Sequence, residues 1–291
     1  MSKDSLKNST RGKKKISPSK NLTLKSMTTD QFSEEKLKSL LKTEQLGKKI
    51  CFFPSLESTN LFAKQLAEKG EPHGTLVIAE TQTKGQGRLG RSWHSPKGGL
   101  WFSLILRPSF RPFLPQHLTF TAGLAAAQTC SRIIPNVSLR WPNDIYVESK
   151  KIGGILTEGR TKGNDFEYCI IGIGLNVNLT ESEFPSILKS EASSLLILKK
   201  EKVEIPLFLA NLLLLWENIL KIYSQKGFAP VLNSWKKYAH FLGTFVKVDT
   251  PTKTIEGEAI DVTLSGALKV KDLDGMIHEI SSGDVRRLTS N

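Results

Sequence analysis

The chain has 291 residues, of which 39% are hydrophobic and 24% charged, and it carries a net charge of +13. Such a length buries a sizeable core in one large domain or two unequal ones, and the composition is that of a soluble globular protein. Its most apolar stretch, Ile205 to Leu220, is broken by Asn211 and Glu217; it falls short of the roughly 20 apolar residues of a membrane span, so a membrane role is not expected.

The charge is unevenly placed. Residues 1–25 hold eight basic side chains against the single acid Asp4, which leaves +6 for the remaining 266 residues. A lysine- and serine-rich stretch without aromatic residues cannot bury enough to fold, so residues 1–28 are expected to form a disordered basic tail. A solvated tail and a nonspecific nucleic-acid arm both fit that composition. No apolar signal-peptide core follows the lysines, and Cys51, Cys130 and Cys169 lack C-x-x-C pairing. Both features point to a cytoplasmic protein with reduced thiols.

Asp30 to Lys42 has helical apolar spacing and an acidic first turn, which predicts one short helix. The space before Cys51 is too small for a winged helix-turn-helix, so sequence-specific DNA binding is not expected. From Lys49 to Gly227 strands and helices mix without regular βαβ alternation, which indicates an α+β domain. Gly74–Thr83 and Gly99–Pro108 read as strands and His117–Ile134 as a helix. Ser138–Arg160 reads as a hairpin of two strands turning near Glu148 to Lys150, with Trp141 extended before Pro142. A strand over Phe166–Asn178 follows. A long helix near Ile205–Gln225 and another near Pro230–His240 complete a domain assigned to residues 29–241. Short β segments with regular turns then suggest a small barrel over residues 242–291.

Gly85, Gly87 and Gly90 stand at the spacing G-x-G-x-x-G. A dinucleotide fold would open a helix at the third glycine, but Pro96 and the Gly98-Gly99 pair forbid one. A kinase would need a lysine on the next strand and a later D-F-G, and the chain has neither. What remains is a loop of small residues carrying Arg88 and Arg91, suited to an anion and equally to an exposed basic turn. Two more segments bear on that choice. In "RWPNDIYVESKKIGGIL" Lys151 follows Asp144 by seven residues, and in "IGIGLNVN" Gly172 and Gly174 mark close approach of a ligand or another backbone. His94 reads as a surface imidazole, and the five histidines form no metal-binding spacing.

Together, "GQGRLGRSWHSP", "WPNDIYVESKKIGGIL", "GIGLN" and "STN" at Ser58–Asn60 resemble the biotin-protein ligase family, and "GALKV" with "SGDVRRL" resembles its C-terminal barrel. The resemblance covers about residues 49 to 289. It implies a mixed β-sheet catalytic domain of the biotin/lipoate ligase type plus an SH3-like barrel, in a form without a DNA-binding domain. It further implies activation of biotin by ATP and Mg2+ as biotinyl-adenylate, and transfer to a lysine of a biotin carboxyl-carrier protein. Lys151, Arg88 and Arg91 would be catalytic. Biotin would meet Ser58, Thr59, Asn60, Gln82, Gln86, Gly87, Arg88, Trp93 and Lys151. ATP would meet Gly85, Arg88, Arg91, Asn143, Asp144 and Asn176, with Asp144 on the metal. The sequence departs from the family at Gln86, where Arg or Lys is common; a contact made there by the side chain would be lost, one made by the backbone would not. A homodimer is left open. The rivals are a lipoate or octanoate ligase and a nucleic-acid-binding protein acting through the tail.

Overall fold

The computed structural model describes residues 32–108, 114–162 and 165–287. The basic tail expected over residues 1–28 lies outside them. The first helix, α1 (Glu34–Leu40), is shorter than its apolar spacing suggests. The Ser33 side chain caps it by accepting from the Lys36 N–H at 3.1 Å, and Leu37 is its one buried residue.

Seven strands form the larger sheet: β1 (Ile50–Leu56), β2 (Leu76–Gln82), β3 (Leu100–Leu106), β4 (Val137–Arg140), β5 (Asp144–Val147), β6 (Lys150–Lys162) and β7 (Asp165–Leu175). Their spatial order is β1-β2-β3-β7-β6-β5-β4. Only β1 and β2 run parallel; every other pair is antiparallel, so the sheet is mixed. Central strand β3, "LWFSLIL", is buried along its whole length, as a near-continuous apolar run requires. The stretch expected to be a two-stranded hairpin makes three strands. Trp141, Pro142 and Asn143 form a turn, with a cis Trp141–Pro142 peptide, that separates β4 from β5 and pairs them antiparallel. Proline has no N–H for a ladder and restricts the residue before it, which is why the strand breaks there.

Helices α2 (Thr59–Glu68) and α3 (Pro115–Ser131) pack on this sheet, α5 (Ile205–Lys226) and α6 (Ala229–Lys236) pack on α3 and on each other, and a short α4 (Leu195–Lys199) precedes α5. Twelve of the seventeen α3 residues are buried, because α3 is covered by the sheet, α5 and α6. By length and composition α5 could cross a membrane, but half of its most apolar window is buried inside the protein, where Trp216 and Leu212 are fully enclosed.

The smaller sheet has five antiparallel strands: β8 (Phe245–Asp249), β9 (Thr254–Val262), β10 (Leu268–Lys271), β11 (Ile277–Ile280) and β12 (Asp284–Arg287), in the order β11-β10-β9-β8-β12. Along β9 exposed and buried residues alternate as far as Ala259; Ile260 and Asp261 then break the rhythm where the pairing with β10 shifts by one residue. This sheet is joined to the first part of the chain: Trp141 Nε1 donates to the Gly266 carbonyl at 2.9 Å, Gln116 Nε2 to Ser265 O at 2.8 Å, and Lys236 meets Asp261 at 2.5 Å. Residues from Phe32 onward form one compact unit, and position 242, the expected start of the barrel, falls between α6 and β8.

Candidate active site

The β1–α2 junction supplies the first wall. Ser58 caps α2, and Ser58, Thr59 and Asn60 are each only 4% exposed. The backbone N–H and hydroxyl of Thr59 both donate to Gln82 Oε1, at 2.8 and 3.1 Å, and Gln82 Nε2 donates to Ser95 Oγ at 2.8 Å. Thus the end of β2 and the glycine loop are tied to the start of α2 by one amide.

The glycine loop is a closed turn rather than a helix start. Gly87 N–H donates to the Arg91 carbonyl at 2.7 Å and Trp93 N–H to that of Gly85 at 2.8 Å. Gly90 has φ +72°, and Leu89, at φ 56°, is also left-handed, a conformation uncommon for a residue with a side chain. This turn aims both arginines at the last strand. Arg88 Nη1 donates to Asn143 Oδ1 at 3.3 Å, Gly283 O at 3.1 Å and Asp284 Oδ1 at 3.3 Å, and Arg91 pairs with the other oxygen of Asp284. Burial lowers the Arg88 pKa, and the carboxylates of Asp284 and Asp144 work against that shift. With an ordinary value so far above neutrality, the guanidinium stays charged.

Across the cavity, Lys151 at the start of β6 pairs with Asp144 of β5 at 2.7 Å, and its ammonium lies 5.3 Å from the centre of the Trp93 ring. The floor is β7. A Cβ on Gly174 would come within 2.5 Å of Trp93 Nε1, and one on Gly172 within 2.0 Å of Asn60 Oδ1. The close approach expected at these glycines is therefore made by side chains. Trp93 Nε1 is buried without a hydrogen-bond partner. Asn176 holds the next loop by donating to Ser193 O at 2.9 Å. Tyr146 is a neutral phenol here, its pKa pushed up to about 12 by burial and then by Asp144.

These groups enclose a cavity of about 320 Å³. Arg88, Arg91 and Lys151 all line it, as do Ser58, Thr59, Asn60, Gln82, Gln86, Gly87, Trp93, Asn143, Asp144 and Asn176. Gly85 does not: a Cβ there would strike the Trp93 carbonyl at 2.4 Å and Ser95 Oγ at 2.6 Å, so Gly85 serves the packing of the loop on itself. His94 lines the cavity too, with Nε2 at 2.7 Å from the Glu183 carbonyl. Sequence reasoning missed Asp284 and Tyr146. Asp284 stands inside "SGDVRRL", but nothing there ties it to partners more than 190 residues away; Tyr146, two residues after Asp144 on an alternating strand, was open to being found. Among the described residues no group of three His, Cys, Asp or Glu side chains could hold a metal. Magnesium needs no such cage, since one or two carboxylates and substrate phosphates suffice.

Comparison with known proteins identifies the class of fold and pocket. Residues 52–176 match the Biotin/lipoate A/B protein ligase family, and residues 241–287 match the Biotin protein ligase C terminal domain. The Bifunctional ligase/repressor BirA of Bacillus subtilis is 37% identical over 257 residues, covering 88% of this chain and 79% of that protein. The Biotin–[acetyl-CoA-carboxylase] ligase of Paracoccus denitrificans is 31% identical over 222 residues, covering 73% of this chain and 90% of that one. The solved biotin protein ligase from Aquifex aeolicus in complex with biotin and ATP aligns with a TM-score of 0.72 at 32% identity, covering 84% of this chain and 100% of its own. The chain belongs to the biotin protein ligase family.

Proposed function

We propose that the cavity joins biotin to ATP and passes the biotinyl group to one lysine of a biotin carboxyl-carrier protein. In the first step a biotin carboxylate oxygen attacks the α-phosphorus; that O–P bond forms as the bond to the β-phosphate oxygen breaks, and pyrophosphate leaves. In the second, the neutral carrier amine attacks the acyl carbon, the C–N bond forms, AMP departs with the electrons of the C–O bond, and the nitrogen releases one proton to solvent.

One observation carries this reading: Arg88 from the glycine loop and Lys151 from β6 line the same cavity. Two anions must meet for the first step, and their repulsion in a partly dry site is offset only by cations held in place beforehand. Arg88, Arg91 and Lys151 fill that role. The neutral polar groups of Ser58, Thr59 and Gln82, with Asn60 and the backbone at Gln86 and Gly87, suit the uncharged ureido ring, and Trp93 suits the apolar tail. Asn143, Asp144 and Asn176 face the nucleotide. Asp144 would be the one protein carboxylate on magnesium, which when bound offsets phosphate charge. Both guanidiniums are already paired with Asp284, so arriving phosphates compete with that carboxylate or use the N–H donors it leaves. The described cysteines, Cys51, Cys130 and Cys169, are all free.

The test is incubation with biotin, Mg-ATP and a carrier domain, read by mass spectrometry. The expected result is one biotinyl mass on one lysine. No mass gain, or an equal gain when lipoate replaces biotin, overturns the proposal.

A further inference from the structure

We infer that Ser103 is a positioning residue for the biotin ring, acting by fixing Thr59 as a hydrogen-bond acceptor toward the pocket. This rests on the biotin site proposed above and assigns a role to a residue that does not line the cavity.

Ser103 is the single polar residue of β3 and is 0% exposed. It sits in mid-sheet, opposite Val77 of β2 and Gly172 of β7. A hydroxyl in such a place is costly unless bonded, and this one is bonded twice: its Oγ lies 2.8 Å from Thr59 Oγ1 and 2.6 Å from Asn60 Oδ1. Both partners line the cavity. Space for the second contact exists because residue 172 is glycine; a Cβ there would press on Asn60 Oδ1 at 2.0 Å.

Each hydroxyl has one proton to give. Two arrangements use the short contacts around Thr59. In one, Ser103 donates to Thr59 and Thr59 to Gln82 Oε1, 3.1 Å away. In the other, Thr59 donates to Ser103 and Ser103 to Asn60 Oδ1. Both commit the Thr59 proton inside the protein, so the pocket sees a lone pair that accepts from an N–H and repels a carbonyl oxygen. A cyclic urea offers two N–H groups and one carbonyl, and the Ser103 contact thereby fixes which part of the ring faces Thr59. Without Ser103, the Thr59 hydroxyl loses its inner partner, and its proton is held by Gln82 Oε1 alone, at 3.1 Å, an oxygen that already accepts from the Thr59 N–H.

The experiment measures binding of biotin, and of two analogues each methylated on one ring nitrogen, to the full chain and its variants. Ser103→Ala is expected to weaken biotin binding about tenfold while the KM for ATP stays within twofold. Methylation at the nitrogen facing Thr59 is expected to weaken binding strongly in the unaltered protein and at least threefold less in Ser103→Ala. Ser103→Thr, which keeps the hydroxyl, is expected to bind biotin within threefold of the unaltered protein. Equal methylation penalties in the unaltered protein and Ser103→Ala, equal losses for biotin and ATP, or a folded Ser103→Thr that binds as poorly as alanine each overturn the inference. If the unaltered protein binds no biotin, the reading of the site itself fails, and this inference with it.

Discussion

Lys151 stands at the crossing of three influences: the Asp144 carboxylate at 2.7 Å, the Trp93 ring at 5.3 Å and the cavity itself. A compact ammonium on a flexible stem can follow charge as it passes from a carboxylate to an adenylate, which a planar guanidinium does less well. Replacing Lys151 by alanine is expected to slow adenylate formation by about 10² to 10³-fold while biotin binding falls far less, as measured by pyrophosphate exchange beside calorimetric titration. Lys151 was legible from its place between "WPND" and "IGGIL", and the arginines from the glycine turn around them. Gly85 misled, because the same missing side chain that lets a phosphate approach also lets one part of a loop fold against another.

Two segments are each fastened by one carboxylate among their other contacts. The glycine loop is held to β12 by Asp284, which meets Arg88 and Arg91 together. An Asp284→Ala variant is expected to loosen the loop, so that trypsin cleaves after Arg88 and Arg91 at least several-fold faster; timed digestion followed by mass spectrometry reads this directly. The segment after α1 depends on Glu217 of α5, 5% exposed, whose carboxylate accepts from the N–H groups of Glu44, Gln45 and Leu46 at 2.7, 2.9 and 2.9 Å. Burial works to raise the Glu217 pKa, but the three N–H donors and Lys221 outweigh it and leave the carboxyl below its ordinary value. Glu217→Ala leaves three donors without their acceptor and is expected to cost about 3 kcal/mol in urea unfolding. Strands, helices and barrel segments were readable from their periods because each buries its own apolar face. The pairing of β3 with β7 was not, since strand order depends on contacts between distant segments; the break of β4 from β5 is local and was open to being read from Pro142.

Across the whole molecule, His117 links three parts. It is 6% exposed, stacks on Phe228 at 3.6 Å, and bonds Tyr223 Oη of α5 at 2.7 Å and the Leu264 carbonyl of the barrel at 2.9 Å. Burial lowers its pKa to about 4, and the bond to Leu264 only partly opposes this. The unfolded chain takes up this proton near pH 6.5, whereas the folded chain resists until about 4. The stability contributed is therefore complete above pH 6.5, falls as the pH drops toward 4 and then levels off, a loss of about 3 kcal/mol. His73, lowered chiefly by burial, adds a change of the same sign. Urea midpoints between pH 4 and 7 should show a steep dependence in the unaltered chain and a shallower one in His117→Gln.

Asp284 belongs to the final strand of the described chain, yet it serves a loop encoded near position 90. As the polypeptide leaves the ribosome, the arginine turn emerges nearly 200 residues before the carboxylate that restrains it. Until translation passes residue 284, both guanidiniums lack that counter-ion, so a prematurely terminated product would hold its cationic turn only through the larger sheet, by bonds such as Arg88 to Asn143.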